Sequence, residues 1–588
     1  MYLMGINTGM NASAVIMKDN KVVFGIQEER ISRIKNQPGF PKLAIEAGLK
    51  ACGITMDDID YVCMGGKNSK VAMTRQDDLN KFNTRYGKIK ASWFGETESV
   101  FAKFAKKGFR KLQNLGQETE KEKFLEDYLD EFNIADKTIR FDHHSCHAAS
   151  AYYGLAKKPH EKYLIFSLDG GGDGRTSAVF EGYDGQMKEI ASSDSFSPAC
   201  LYAHITYILG FLPHEHEYKL MGLAPYAQPQ YAEVAKDILY KFIGFDKDNP
   251  MCFNNTEKYP DVRNSRGEAK QQLIEDLFKS VLNLRFDTLA AGLQMLAEEV
   301  AVKWIKESVK KTGIKRVLLS GGFFMNVKAN KLIAELPEVE FVNCFPSCGD
   351  ETNAFGAVFL GYLQNKPQSA SDIEFSDFCI GTDASFDIEE AKTKYKKEVI
   401  FRKSDSVNDE VADMLCNGQI VARCSGKMEF GARALGNRSI LASPDDIKII
   451  NKINAAIKKR DFWMPFAPAM IQEKAETLID IPKSLQEMSS PYMMFTFQAK
   501  ADQSEKFLAG IHQSDKTARA QIINAEIYPG FHDIITKFDK KSGIPSVLNT
   551  SFNLHGFPIV LGACDAVDVY LNSALDVLVV DDYIITRK

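Results

Sequence analysis

The feature that most constrains the fold is a unit that recurs along the first half of the chain, an apolar strand that empties into a glycine turn. After the turn the chain either doubles back or starts a helix. Residues 163–168 (YLIFSL) run into Asp169-Gly-Gly-Gly-Asp-Gly, and a strand resumes at residues 179–181. Residues 316–319 run into Ser320-Gly321-Gly322 and then a helix start, and residues 339–343 lead to a loop that carries Asp350. Before these, residues 2–6, 14–17 and 22–27 read as a β-meander with turns at 8–11 and 18–21. Meanders with glycine turns, crossover helices and strand–loop–helix turns specify an α/β domain of actin-like or sugar-kinase-like type over residues 1–365.

A single hydrophobic core stops growing at about 250 to 300 residues, so a chain of 588 residues requires a second domain. The polar stretch 364–377 reads as the linker, and a second domain begins near residue 378 with strands at 399–402 and 420–424, contains the segments 517–521 and 546–553, and closes with 577–585. Residues 77–132, dense in Lys, Glu and Phe at helical spacing, read as an amphipathic helical insertion. No internal repeat is evident in the residues.

With 45% hydrophobic and 26% charged residues the chain is a folded globular protein, and a formal charge of −5 offers no basic surface for stable nucleic-acid binding. No run approaches the roughly 18 apolar residues of a membrane span, and the N-terminus lacks a basic signal-peptide region, so a cytoplasmic location is expected. The 11 cysteines lack framework spacing and read as reduced thiols.

Three clusters carry chemistry. In TIRFDHHSCHAASAYY, a helix would set His143 and His147 one turn apart on one face, the arrangement two imidazoles need to converge on a metal, with His144 pointing elsewhere. Asp169, at a strand end, and Asp350, at a loop-to-helix junction, are the candidate carboxylate ligands, although Asp350 serves equally well as a helix cap. Gly171, Gly321 and Gly322 open backbone N–H groups to an anion, and Asn326 on the first helical turn completes a candidate nucleotide cradle. His214, His216 and Lys219 fall before a tight turn that can line the same cleft. Residues 425–468 set Lys427, Arg433 and Arg438 among glycines and add Lys458 and Arg460. Planar guanidinium beside open backbone suits phosphate or a nucleotide, and a solvated basic segment is the bland alternative.

The motifs DHHSCHAASAYY, EYKLMGLAPY, LSGGFFMN, CGDETNAFGA, KMEFGARALGNRSIL, INAAIKKRDFWMPFAPAM and VLNTSFN occur in that order along the chain. The set resembles the O-carbamoyltransferase family, which includes nodulation-factor, cephem and aminoglycoside carbamoyltransferases. The resemblance implies an N-terminal domain similar to threonylcarbamoyl-transfer proteins and a YrdC-like C-terminal domain. The latter would make carbamoyl adenylate from carbamoyl phosphate and ATP, with Mg accompanying the nucleotide, and the former would pass the carbamoyl group to a small-molecule or nucleoside hydroxyl. Carried over to matching positions, Arg433, Lys458, Arg519, Ser551 and Asn553 would hold the adenylate, with Lys427 and Arg460 as nearby support. His143, His147, Asp169 and Asp350 would bind iron, zinc or manganese, and His144 or His214 would take the acceptor proton. There is one departure: many relatives carry a His-Asp pair in the first glycine turn, where this chain has Gly9-Met10-Asn11-Ala12-Ser13. The alternatives are a tRNA threonylcarbamoyl-adenosine synthase-like enzyme and a non-catalytic nucleotide-binding regulator of the actin-like fold.

Overall fold

The computed structural model describes residues 1–68, 75–93, 125–158, 160–260, 262, 268–366, 372–375, 377–486 and 490–588. Its first sheet is built from β1 (Tyr2–Asn7), β2 (Ser13–Lys18), β3 (Lys21–Gln27), β4 (Tyr61–Gly65) and β5 (Thr138–Phe141), in the order β3-β2-β1-β4-β5. Strands β1 to β3 form the antiparallel meander, while β4 and β5 join β1 in parallel. The second sheet takes β6 (Tyr163–Gly172), β7 (Arg175–Tyr183), β8 (Gln186–Ser193), β9 (Arg316–Ser320) and β10 (Phe341–Cys344), in the order β8-β7-β6-β9-β10. Its pairing repeats that of the first sheet strand for strand. The first half is therefore the doubled α/β architecture of the actin-like class. It also corrects the reading that no repeat is present: the repetition lies in ladder and crossover geometry, which many different apolar sequences satisfy.

A third, mixed sheet occupies the rest of the chain. It contains β11 (Val399–Lys403), β12 (Val421–Cys424), β13 (Arg438–Ala442), β14 (Ala467–Ile471), β15 (Gln521–Ile523), β16 (Ser546–Ser551), β17 (Val577–Val580) and β18 (Tyr583–Arg587). The order is β11-β18-β17-β12-β13-β16-β14-β15, parallel only at β17–β12 and β14–β15. The apolar core does not stop between the halves. Phe345 and Phe355 pack with Phe378 and Phe430, the Phe355–Phe430 pair edge-to-face at 4.9 Å.

Two helices set the first half's geometry. Helix α1 (His143–Leu155) is buried on most of its surface, which its Ala148-Ala149-Ser150-Ala151 run permits. Asp142 caps it by accepting from Ser145 N at 2.8 Å. A short helix, α2 (Glu217–Leu223), follows the His214 turn, and α3 (Asn353–Asn365) lies against α1, β1 and β4. At the crossing of α1 and α3 a Cβ on Gly356 would stand 1.9 Å from Cys146 O, so only glycine allows the backbones that close.

Part of the expected insertion is helical: Arg75–Trp93 buries Phe82, Tyr86 and Ile89 at helical spacing, and residues 125–131 bury Leu125 and Leu129. Residues 94–124 of that expectation lie outside the described residues, as do 367–371 and 376 of the expected linker. The described part of that linker is pinned, with Asn20 Nδ2 donating to Asp372 O at 2.6 Å and Glu374 N donating to Asn20 O at 2.8 Å. Replacing Gly356 by Ala is expected to destabilise the protein by about 3 kcal/mol through overpacking, read as a lower urea midpoint of the full chain.

Candidate functional site

The four expected metal ligands come together from three places. Helix α1 presents His143 and His147, β6 carries Asp169 three residues before its end at Gly172, and the turn after Gly349 presents Asp350. A bulge between β6 and β7 at Leu168/Gly172 turns Asp169 toward α1. Gly172 lets the His143 ring in, since a Cβ there would stand 2.2 Å from its Cγ. Asp173 fixes the corner by accepting from His143 N at 2.8 Å and from Lys67 N and Asn68 N at 2.9 and 2.7 Å.

His147 Nε2 lies 3.2 Å from Asp169 Oδ2 and 3.6 Å from Asp350 Oδ1, and His143 Nε2 lies 3.8 and 3.7 Å from the same atoms. One ligand atom from each of the four residues falls within 4.8 Å of all the others. Ligands on a shell of about 2.1 Å around a divalent ion are separated by about 3 to 4 Å, so the spacing fits. His143 Nε2 is buried with no hydrogen-bond partner. Burial opposes charge on His147, but Asp169 and Asp350 outweigh it and raise the imidazole to about 9, so the pocket stabilises positive charge. Two imidazoles and two carboxylates suit iron, zinc or manganese.

His144 does not face this cluster. It is fully buried and hydrogen-bonded to Ser167 Oγ at 2.8 Å, and burial with its two histidine neighbours lowers it to about 3, which removes it as proton acceptor. His214 stays near: its backbone is left-handed at φ 63° and its Cε1 lies 4.0 Å from where a Gly170 Cβ would stand, one residue from Asp169.

The expected nucleotide cradle is largely committed to the protein itself. Gly322 N donates to Asp169 Oδ2 at 3.2 Å, and Gly321, at φ 94°, packs its Cα against Leu168. Gly171 takes φ 136° near the end of β6. Asn326 is corrected to a structural role: its Oδ1 caps Ala329 N at 3.1 Å, and its amide exchanges two hydrogen bonds with Gln294.

In the C-terminal half, Arg433, Arg460 and Arg519 share one electrostatic neighbourhood. Burial lowers all three below the ordinary guanidinium value; Arg433 adds to this at Arg460, and Arg433 and Arg460 add to it at Arg519. Among the described residues none of the three is ion-paired to a carboxylate. Nε of Arg433 and of Arg519 is buried without a hydrogen-bond partner. Arg460 donates to Thr550 Oγ1 at 3.0 Å and stacks over Phe466 at 4.9 Å. Lys458, buried, donates to Ser551 Oγ at 3.0 Å and Asn553 Oδ1 at 2.7 Å, so those three expected residues stand together. Burial, then Arg460 and Lys35, hold this amine well below its ordinary value. Three guanidinium groups without a carboxylate partner are able to receive an anion.

Several expectations for the basic stretch change. Lys427 does not join the cluster: it is exposed on the strand Lys427–Glu429, and its charge is felt by Cys52. Arg438 is wholly buried and donates to the carbonyls of Thr382, Ser425, Gly426 and Leu561 at 3.0 to 3.1 Å. The loop's N–H groups are not open to ligand either, since Leu435, Asn437 and Arg438 all donate to Glu429 Oε1.

Sequence reasoning missed the residues that join the two sites. Ser347 Oγ accepts from Ala432 N at 2.9 Å, beside Arg433, three residues from Asp350. Tyr218 stands among the electrostatic neighbours of all three guanidinium groups. It lay in plain view inside EYKLMGLAPY, but no spacing rule ties a tyrosine to arginines more than 200 residues away.

Comparison with known proteins agrees with both halves. Nodulation protein NolNO of Sinorhizobium fredii is 29% identical over 99% of this chain and 80% of its own length. An uncharacterized protein of Methanocaldococcus jannaschii, MJ1051, is 30% identical over 100% of this chain and 99% of its own length. The crystal structure of component A of the Acidaminococcus fermentans (R)-2-hydroxyglutaryl-CoA dehydratase aligns with 62% of this chain and 99% of its own at 14% identity and a TM-score of 0.33, too slight a likeness to bear on function. The family model for the carbamoyltransferase N-terminus matches residues 3–359 and that for the carbamoyltransferase C-terminus matches residues 412–587, and the chain belongs to the carbamoyltransferase family.

Proposed function

We propose that the chain is an O-carbamoyltransferase working in two half-reactions, with residues 378–588 forming carbamoyl adenylate in a YrdC-like unit and residues 1–365 transferring the carbamoyl group. The observation that carries this reading is the pairing of a carboxylate-free guanidinium cluster with a separate His/Asp cluster, joined by the Ser347–Asp350 loop.

In the first half-reaction ATP and carbamoyl phosphate meet at Arg433, Arg460, Arg519 and Lys458. Water releases phosphate from carbamoyl phosphate, a carbamoyl oxygen bonds to the α-phosphorus of ATP, and the bond to pyrophosphate breaks. The guanidinium groups offset the charge that builds on the leaving pyrophosphate. Desolvation strengthens that interaction, and the half-buried arginines with buried Lys458 supply part of it.

In the second half-reaction an acceptor hydroxyl attacks the carbamoyl carbon and AMP leaves. His143, His147, Asp169 and Asp350 would hold a divalent ion, which supplies Lewis acidity toward the carbonyl or phosphate oxygen. Gly9, in the turn where relatives carry a histidine, lies beside that cluster, a Cβ there standing 3.5 Å from Asp350 Oδ2. With Met10 and Asn11 in that turn, His214, whose Cε1 lies 4.0 Å from where a Gly170 Cβ would stand, takes the hydroxyl proton. The acceptor is a small molecule or nucleoside bearing a hydroxyl.

Isotope exchange between pyrophosphate and ATP that depends on carbamoyl phosphate tests the first step, and a chain that shows none is not this enzyme. Arg433→Ala is expected to lower that exchange by about a hundredfold or more while the metal content of the purified protein stays unchanged. His147→Ala is expected to retain exchange, lose carbamoyl transfer, and lower retained metal by at least about tenfold, measured by elemental analysis. His214→Gln is expected to keep both exchange and metal but to slow transfer to an alcohol by about a hundredfold, followed by mass spectrometry of the carbamoylated product.

A further inference from the structure

The guanidinium site lies in the C-terminal half, yet the backbone that leads into Arg433 is held by side chains of the N-terminal half. Gly431 N donates to Gln27 Oε1 at 3.1 Å, Arg30 Nη2 donates to Gly431 O at 2.5 Å, and Ala432 N donates to Ser347 Oγ at 2.9 Å. Gln27, Arg30 and Ser347 are buried, and each is held in turn. Arg30 Nη2 also donates to Gln27 Oε1 at 3.1 Å and its Nη1 pairs with Glu29 at 3.1 Å, while Ser347 Oγ donates to Glu351 Oε1 at 2.5 Å. The approach is close enough to require glycine: Gly431 takes φ 95°, and a Cβ there would stand 2.4 Å from Ser347 Cβ.

We propose that Gln27 and Ser347 are positioning residues of the anion site, acting through the 431–432 backbone to place Arg433 for the phosphate groups of a diphosphate-like ligand. The inference rests on the carbamoyl-adenylate reading for the identity of that ligand, but not for the hold on the loop.

Nε of Arg433 is buried without a hydrogen-bond partner, and among the described residues no carboxylate pairs with its guanidinium. Where its charge stands before a ligand arrives therefore follows from where its backbone is held. The limb that leaves Arg433 is held within the C-terminal half. Asn549 Nδ2 donates to Ala434 O at 3.1 Å, Gln521 Nε2 donates to Leu435 O at 2.8 Å, and Leu435 N and Asn437 N donate to Glu429 Oε1. The limb that enters it is held at Gly431 and Ala432 by Gln27, Arg30 and Ser347. With that limb loose, the guanidinium would sample positions of which only a fraction suit the ligand, and affinity falls by that fraction.

The hold on this limb is separable from the rest of the interface. The Asp350 turn has bonds of its own, Thr352 Oγ1 donating to Gly349 O at 2.7 Å and Ser13 Oγ to Glu351 O at 2.8 Å. The halves are also joined elsewhere, Lys219 Nζ pairing with Asp461 at 3.0 Å and His512 Nε2 hydrogen-bonded to Gly222 O at 2.8 Å. Loss of one bond to the 431–432 backbone then loosens Arg433 without parting the halves or dispersing the His/Asp cluster.

The test is calorimetric titration of the full-length chain with inorganic pyrophosphate, in wild type, Gln27→Met and Ser347→Ala. The first variant keeps an unbranched side chain of similar length and removes the acceptor, and the second removes only the hydroxyl. Expected in each is a loss of affinity of at least about threefold, the weight of one hydrogen bond, with metal content as in wild type. In the exchange assay the KM for carbamoyl phosphate should rise by a similar factor while kcat changes by less than about threefold. A defect in the scaffold alone lowers the amount of active protein, and so kcat, while leaving KM and affinity as in wild type, and that pattern overturns the proposal. Affinity less than about threefold below wild type in either variant overturns the role of that residue, and leaves the two-step reaction standing if exchange is seen. Weakened binding by the variants of a chain without exchange overturns the reaction and leaves the hold on Arg433 standing. A wild type that does not bind pyrophosphate overturns both.

Discussion

Two clusters of charge taken partly out of water set the terms for the whole molecule. At one place the carboxylates of Asp169 and Asp350 converge on two buried imidazoles, and at another Arg433, Arg460 and Arg519 converge without a carboxylate. Left alone, the guanidinium cluster would spread apart, because desolvation raises the cost of every unpaired charge. Rigid elements prevent the spreading. Helix α1 is locked by Asp142 and Asp173, and the Arg433 loop is wrapped around the buried carboxylate of Glu429. The scaffold thereby holds both clusters in place ahead of any ligand.

The two clusters are bound into one machine by short segments rather than by a flexible tether. The loop around Ser347 touches the Arg433 loop and carries Asp350, and the segment from His214 to Tyr226 runs from the Gly170 turn onto the loops around Trp463 and His512. Phe345, Phe355, Phe378 and Phe430 continue the apolar core beneath these contacts. A mechanism in two half-reactions needs a reactive acyl intermediate kept from water between steps, and a continuous core under both sites suits that need.

Much of the site is legible in the residues themselves. The i, i+4 spacing of His143 and His147 follows from helical periodicity, and Asp169 follows from a strand that ends in glycines, so local rules suffice for both. The basic stretch is legible as a ligand site but not in its parts. Arg433 and Arg438 differ by five positions and look alike as letters, yet one keeps a buried Nε without a hydrogen-bond partner and the other clamps four carbonyls. Asn326 and the N–H groups after Leu435 read as open donors, and both are used by the protein, Asn326 by Gln294 and the N–H groups by Glu429.

The sequence by itself determined the α/β class, the strand and helix elements, the identity of the metal-type cluster and membership of a family recognisable from ordered motifs. These are properties of periodicity, turn chemistry and residue type, all of which act over a few positions. Tertiary structure alone decided which cations lack partners, that Lys427 lies apart from Arg433, that His144 is sealed while His214 is not, and that the segment from Lys219 to Pro225 packs onto loops of the other half. Those outcomes depend on which distant segments pack together, and the energies that select a packing are sums over the whole core that no local spacing encodes.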